Sequence, residues 1–404
     1  MKTLNPSQQA AVASTEPRII VSASPGSGKS SVLIARIEHR ISLGTDPARI
    51  YCITFTQAGA KVMSDRLKER GISVGFAGTR HSLMYRMLNR HGQAIGYRAG
   101  GVNLITEDDA ESLLLACAKE LGWKGSRKAL DFTSNTAVAL IRKEYTHRLR
   151  RSNLVDYDGA LTEGLRLLQL PEVADQLAVD EAYTDEAQDN SRVDWQIDEA
   201  IPAKMKFWVG DVDQAIFEWR GAEPAAFMEA TQAPGTELIT LESNYRSGSR
   251  ICAAATALIG HNKLRVPKEV VSATARESFI LVNSFPDHLK EVAYVVAAVG
   301  GRVAGHVPAD EVAVIVRTNY LREQFTEALR AAGIPVAAAA QRQLPPDWQH
   351  GMNVLSMFND PRSNMIAEKI IARLAPREIA RCKDAALLEG NCSSLDNVLD
   401  SRAQ

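Results

Sequence analysis

The sequence predicts an α/β protein organised on a parallel sheet, and three observations carry that prediction. Residues 18–22 (Arg-Ile-Ile-Val-Ser) read as a short buried strand that runs into a Gly/Ser-rich turn and then an apolar-periodic helix from Ser30 to about Ser42. The order repeats, with a strand at Arg49–Thr54 and a helix near Ala58–Arg70. Strands return around 179–184, 206–210 and 237–241. Strand–loop–helix alternation of this kind places crossover helices between parallel strands.

Between those groups, residues 82–170 are mostly helical in pattern, with a capping-box-like start at Thr106-Glu107-Asp108-Asp109. They read as an insertion into the α/β domain. A second α/β unit is expected after the 243–250 segment, with strands at 278–283 and 311–316 and helices at 287–299 and 321–332. From Gln341 the pattern is helical again, punctuated by Pro345-Pro346.

A length of 404 residues allows two or three domains, each with its own core. No apolar run approaches the roughly 20 residues that span a bilayer. The segment Met1–Pro6 has no apolar leader region. The expectation is a cytoplasmic protein with no membrane partner. Five cysteines, Cys52, Cys117, Cys252, Cys382 and Cys392, lack metal-ligand spacing and read as reduced thiols. A net charge of −1 leaves polyanion binding undecided, since a groove can concentrate positive charge locally. The charge is uneven: Lys124, Arg127, Lys128, Arg142, Lys143, Arg148, Arg150 and Arg151 face only Asp131 and Glu144 within 124–151. A solvated helical face and phosphate contact are even readings of that stretch.

The turn after the first strand is Ala23-Ser24-Pro25-Gly26-Ser27-Gly28-Lys29-Ser30, followed by Ser31. Strand before and helix after are the context that a phosphate-binding loop requires. Gly26 and Gly28 let backbone N–H groups turn toward phosphate oxygens, and the helix N-terminus adds its dipole. Lys29 would bring a point charge to the β- and γ-phosphates, and the Ser30 hydroxyl would ligate Mg²⁺. Ala23 stands where the general pattern has glycine. ATP and Mg²⁺ are the expected cofactors. Such a loop needs a downstream carboxylate for the metal and another for the attacking water. Two pairs qualify, Asp180-Glu181 and Asp185-Glu186.

Further strings occur in a fixed order: Leu4–Val12 with Gln8; Ile53–Met63 with Thr54 and Phe55; Gly78–Leu83 with Thr79, Arg80 and His81; Asp185-Glu186-Ala187-Gln188-Asp189; Gly210–Ala222; Glu242–Ser247; and Val314–Asn319. Together they resemble the UvrD/Rep/PcrA-like superfamily 1A DNA helicases over residues 4 to about 340. The resemblance implies a P-loop NTPase with a RecA-like first motor domain (1–85 and 152–242), a helical insertion (86–151), a partial second RecA-like domain (243–342) and the start of a further helical insertion (343–404).

It implies that Gln8 reads the adenine edge, that Tyr245 packs on the adenine and that Arg246 reaches the γ-phosphate. By the fuller match, Asp185 takes Mg²⁺ and Glu186 the water. Gln214 couples the γ-phosphate to Trp219 and Arg220, which handle a DNA base. Thr54, Phe55, Thr79, Arg80 and His81 are implied DNA contacts. Gln57-Ala58 replaces an Asn-Lys pair, Val62 replaces an acidic residue, and Arg80 replaces an aromatic one. The family's motifs V and VI are not found by Gln404. The expected function is therefore an ATP-dependent, single-strand-stimulated helicase of 3′-to-5′ polarity, in the manner of DNA-repair helicases, acting on single strands and single/double-strand junctions. The alternatives are an ATP- and DNA-binding module without independent unwinding, a fragment, regulatory form or split subunit completed by a second polypeptide, and an ATPase acting on RNA or protein.

Overall fold

A computed structural model describes residues 4–131 and 136–337. The chain divides into two compact units, Met1–Phe279 and Ile280–Gln404.

The first unit begins with α1 (Pro6–Ala13), β1 (Arg18–Ala23), α2 (Lys29–Ser42), β2 (Ile50–Thr54), α3 (Gln57–Glu69) and β3 (Phe76–Thr79). Next come α4 (Arg80–His91), β4 (Asn103–Leu104), α5 (Glu107–Glu120), α6 (Thr136–Arg151), β5 (Leu154–Val155), α7 (Tyr157–Leu168) and α8 (Pro171–Gln176). The chain returns through β6 (Val179–Thr184), α9 (Arg192–Ala200), β7 (Ala203–Gly210), α10 (Pro224–Thr231) and β8 (Thr236–Leu241). It ends with β9 (Ser243–Asn244), α11 (Ser249–Ile259) and β10 (Val271–Ser272).

Six strands form one parallel sheet in the order β3-β2-β6-β7-β1-β8. The strands expected from sequence take part in it; β3 is an additional edge strand. Apolar residues on both faces explain the continuous hydrophobic runs. Along β1, Ile19, Val21 and Ala23 pack with Val32, Leu33, Phe207 and Val209. The intervening Ile20 turns to Trp208, Trp195 and Phe227 on the other face. Each such side chain, fully buried, contributes roughly 1.5–3 kcal/mol of transfer free energy. A third cluster joins Ile53 and Phe76 to Leu83, Met84, Leu161 and Leu167, fixing α4 and α7 against the β2–β3 edge. Between β3 and β6 the chain is mainly helical, from α4 to α8, and Thr106 caps α5 by accepting from the Asp109 N–H at 3.2 Å. Cys52, Cys117 and Cys252 are buried thiols.

Among the described residues of the second unit, α12 (His288–Ala304) and α13 (Asn319–Ala331) realise the two expected helices. Phe325 and Leu329 of α13 are buried, and the His288 ring meets Phe325 edge-on with centroids 5.7 Å apart. The strands expected at 278–283 and 311–316 do not form there. Val282 and Ile315 are each 92% exposed. β-Branched runs supply only propensity, and a strand exists once a neighbour supplies ladder hydrogen bonds. The helical pattern from Gln341, and with it residues 343–404, lies outside the described residues. Among the described residues no helix is long and apolar enough to cross a membrane.

Candidate nucleotide and polynucleotide site

The sheet delivers its functional groups at the carboxyl ends of neighbouring strands, where open parallel sheets build ligand crevices. β1 runs into the 23–30 loop. Gly26 and Gly28 hold φ of +69° and +85°, a left-handed region that disfavours residues with a Cβ. A Cβ on Gly26 would also lie 2.7 Å from the Arg246 Cβ and 2.8 Å from Asn244 Oδ1. The loop is braced from outside. Asn244 Nδ2 donates to the Pro25 carbonyl at 2.7 Å, and the Tyr245 N–H donates to the Gly26 carbonyl at 2.9 Å. Gln8 Nε2 donates to the Ser27 carbonyl at 2.8 Å, while its Oε1 accepts the Asn5 N–H. Among the described residues, the buried Ser24 and Ser27 hydroxyls have no hydrogen-bond partner. An inward-facing loop with glycine turns and unspent donors suits phosphate oxygens. Beside it, a cavity of about 480 Å³ is lined by Leu4, Gln8, Gly28, Ser31, Ile34 and Tyr245, among others. Asn5 Nδ2 donates to the Tyr245 hydroxyl at its edge. Arg246 is exposed.

The carboxylates arrive from β6. Ser30 Oγ lies 3.5 Å from Asp185 Oδ2. Burial, and then the neighbouring Glu186, push the Asp185 carboxyl up to about 6. A divalent cation between Ser30 and Asp185 would relieve that burial, so the donor set fits Mg²⁺. Glu186 adopts φ of +53°, a left-handed conformation that costs a non-glycine residue roughly 1–2 kcal/mol. That turn points its carboxylate at Lys29 Nζ, 3.1 Å away. Lys29 also donates to Gln214 Oε1 at 3.3 Å. Gln188, which sequence reasoning left without a role, donates to Glu186 Oε2 at 3.0 Å. Asp180 lies at the opposite end of β6, paired with Arg49 at 3.1 Å and Lys204 at 2.8 Å. Glu181 is buried among Arg40, Thr45 and the Tyr183 hydroxyl. The first acidic pair is thus tied into the fold, and the second adjoins the phosphate loop.

An aromatic path starts from Gln214. Phe55 meets Phe217 with centroids 5.3 Å apart, and Phe217 meets Trp219 at 6.3 Å. The Arg220 guanidinium sits 5.1 Å from the Trp219 ring, which is 77% exposed. His81 stacks on Tyr157 at 3.7 Å, and burial lowers its pKa to about 4. Phe217 and Tyr157 join these ring contacts without having been expected; Phe217 lies inside the Gly210–Ala222 string, whereas Tyr157 lies outside every such string. Thr54 and Thr79 bury their side chains, the latter capping α4 by accepting from the Ser82 N–H.

The expectation that Arg80 faces DNA is corrected. Its side chain is 3% exposed and makes two 2.9 Å bonds to Asp198 and one of 3.1 Å to Asn190. Asp194 lies 3.4 Å away. A guanidinium at this position is solvated by inward carboxylates, because burying it unpaired would cost several kcal/mol. Part of the 124–151 basic charge is paired within the chain at partly exposed positions. Arg127 pairs with Glu111, Arg148 with Glu120 and Glu144, and Arg150 with Glu163.

A glycine-turned phosphate loop at the head of a parallel sheet, with Lys29, Ser30 and two strand-end carboxylates converging on it, defines a P-loop NTPase of RecA-like fold. Comparison with known proteins carries this further. The UvrD/REP helicase N-terminal domain matches residues 4–134 and 126–234, and the UvrD-like helicase C-terminal domain matches residues 239–375. The chain belongs to the UvrD-like helicase family. It is 28% identical to the ATP-dependent DNA helicase PcrA of Leuconostoc citreum over 91% of this chain and 54% of that protein. The PcrA of Staphylococcus epidermidis is also 28% identical, over 99% of this chain and 60% of its own length. The ATP-dependent DNA helicase UvrD1 of Mycobacterium tuberculosis is 27% identical over 82% and 49%. The chain therefore spans about half the length of the curated relatives it matches.

Proposed function

We propose that this chain hydrolyses ATP in a manner coupled to movement along single-stranded DNA, with 3′-to-5′ polarity. The observation that carries the reading is the shared turn. Gln214 contacts Lys29 at the phosphate loop, and Phe217, Trp219 and Arg220 follow it directly onto the aromatic path. A change at the phosphates is thereby transmitted over a few residues to the surface that holds bases. Stacking on exposed aromatics is worth about 1–3 kcal/mol per base and is tolerant of sequence.

In this reading Gln8 and Tyr245 line the adenine cavity, Lys29 and Arg246 hold the γ-phosphate, and Glu186 orients the attacking water. Ser24, Pro25, Gly26, Ser27, Gly28 and Ser31 shape the cradle. Ser30 and Asp185 would hold Mg²⁺, which neutralises phosphate charge when bound. Phe55, His81, Trp219 and Arg220 present to DNA, and Thr54 and Thr79 shape the backbone beneath them. The partition into 1–85 with 152–242, 86–151, 243–342 and 343–404 goes with the same proposal, as does action at single/double-strand junctions.

The test is hydrolysis by the purified chain alone, with oligo-dT and with oligo-U, beside Lys29→Ala and Trp219→Ala. Stimulation by DNA that vanishes in the first variant and weakens severalfold in the second is expected. Equal stimulation by oligo-U, or hydrolysis indifferent to both, would sink the DNA coupling. Displacement of duplexes with a 3′ or a 5′ tail then reads polarity.

A further inference from the structure

We propose that Lys268, outside every motif that marks this fold, is a positioning residue for the nucleotide site. Its ammonium fixes the carboxylate that orients Gln214 against Lys29. The inference rests on the nucleotide reading above.

Lys268 Nζ donates to Asp211 Oδ1 at 2.6 Å and to Asp213 Oδ2 at 2.9 Å, and its side chain is fully buried. The other Asp211 oxygen accepts from Gln214 Nε2. An amide has one accepting end and one donating end. With Nε2 held by Asp211, Gln214 Oε1 faces Lys29 Nζ at 3.3 Å. The backbone N–H of Asp211 donates to Gln188 Oε1 at 2.9 Å, and Gln188 Nε2 donates to Glu186 at 3.0 Å. One aspartate thus sets the direction of two amides, one aimed at the loop lysine and one at the catalytic-position glutamate.

Asp213 receives Arg265 at 3.5 Å and Asn262 at 3.1 Å. Residues 262–268 therefore insert three donors into the 211–214 turn and continue into β10. That strand pairs with β9, which carries the Asn244 brace beside Arg246. Without Lys268, Asp211 loses the cation on its Oδ1 while Asp213 keeps Arg265 and Asn262, so the buried Asp211 carboxylate is left to move. That movement frees the Gln214 amide to rotate.

The decisive comparison is binding of fluorescent ADP and of a fluorescent non-hydrolysable ATP analogue, both with Mg²⁺, to the full chain. Wild type should favour the triphosphate. Lys268→Met should lose that preference by about tenfold, the value of one charge-assisted hydrogen bond, while ADP affinity stays within about twofold. Lys268→Arg should retain it. In a Gln214→Ala background, Lys268→Met should change the preference no further. Hydrolysis should fall in kcat, and the KM for ATP should rise with the weakened triphosphate binding. A full preference in Lys268→Met, or equal weakening of both nucleotides that adds to Gln214→Ala, would overturn the assignment. Should Lys268→Met fail to fold, Asp211→Asn keeps the lysine opposite Asp213 and makes the same binding prediction. A wild-type chain that binds neither nucleotide would overturn the nucleotide reading itself and this inference with it.

Discussion

The two ends of β6 carry the same pair of residues in opposite circumstances. At the N-terminal end, Asp180 is held by Arg49 and Lys204, and its carboxyl is drawn below the ordinary range, first by the Lys204 hydrogen bond. Glu181 beside it is enclosed by Arg40, Thr45 and Tyr183. At the C-terminal end, Asp185 is buried with a serine hydroxyl and a backbone N–H for company, and its carboxyl is pushed up to about 6. Glu186 shares Lys29 with Gln214. The first pair is neutralised by the fold. In the second, Asp185 is buried without a cation of its own among the described residues, beside a half-exposed Glu186 that takes Lys29, the signature of a site rather than a scaffold. Acidic dipeptides mean different things according to which end of a strand they occupy.

The largest expected difference between the two ends is in rate. Glu186→Gln should lower ATP hydrolysis by about 10²–10⁴-fold, as loss of a positioned base does, while Glu181→Gln stays within a few-fold of wild type. Steady-state hydrolysis with oligo-dT checks both, and equal losses would erase the distinction.

A smaller effect separates Asp185 from Asp180 in stability. A carboxyl whose folded pKa is raised to about 6 gives stability that is complete below the unfolded value and is lost as pH rises through 6. Urea unfolding without nucleotide or Mg²⁺ should therefore find Asp185→Asn more stable than wild type at pH 7.5 by about 1–3 kcal/mol, a gain absent at pH 4. A destabilised Asp185→Asn at pH 7.5 would contradict the geometry.

The smallest effect belongs to Asp180. Its carboxyl is depressed by exposed partners, so Asp180→Asn should cost under about 1 kcal/mol at neutral pH. A loss of several kcal/mol in the same unfolding assay would show that this end of β6 is more tightly built than the distances indicate.

Local pattern made much of this legible. Apolar runs buried on both faces announced five of the six sheet strands, and the Gly26–Ser30 string announced the loop because its chemistry is contiguous. β3, Phe76-Ala77-Gly78-Thr79, is four residues long and contains a glycine, so it offered too little period to read. The choice between the two acidic pairs was open on chemistry alone, because it depends on distance to Ser30 and Lys29. Arg80 misled because a cation beside a polynucleotide motif suggests phosphate, whereas its carboxylates come from α9, more than a hundred residues away. Lys268 was invisible for the same reason. Its partners are more than fifty residues distant, and nothing around it forms a motif. The segments at 278–283 and 311–316 had strand composition, but composition carries no information about a pairing neighbour.

The strand order has a consequence for synthesis. β1 hydrogen-bonds to β7 and β8, and both arise within residues 203–241. Its apolar run Ile19-Ile20-Val21 thus leaves the ribosome with no ladder partner until some two hundred further residues have been made. At elongation rates of about 5–20 residues per second this is roughly ten to forty seconds. The phosphate loop is translated well before the strands that seat it. For that interval the nascent chain carries a bare, sticky strand whose safekeeping falls to whatever shields it in the cell.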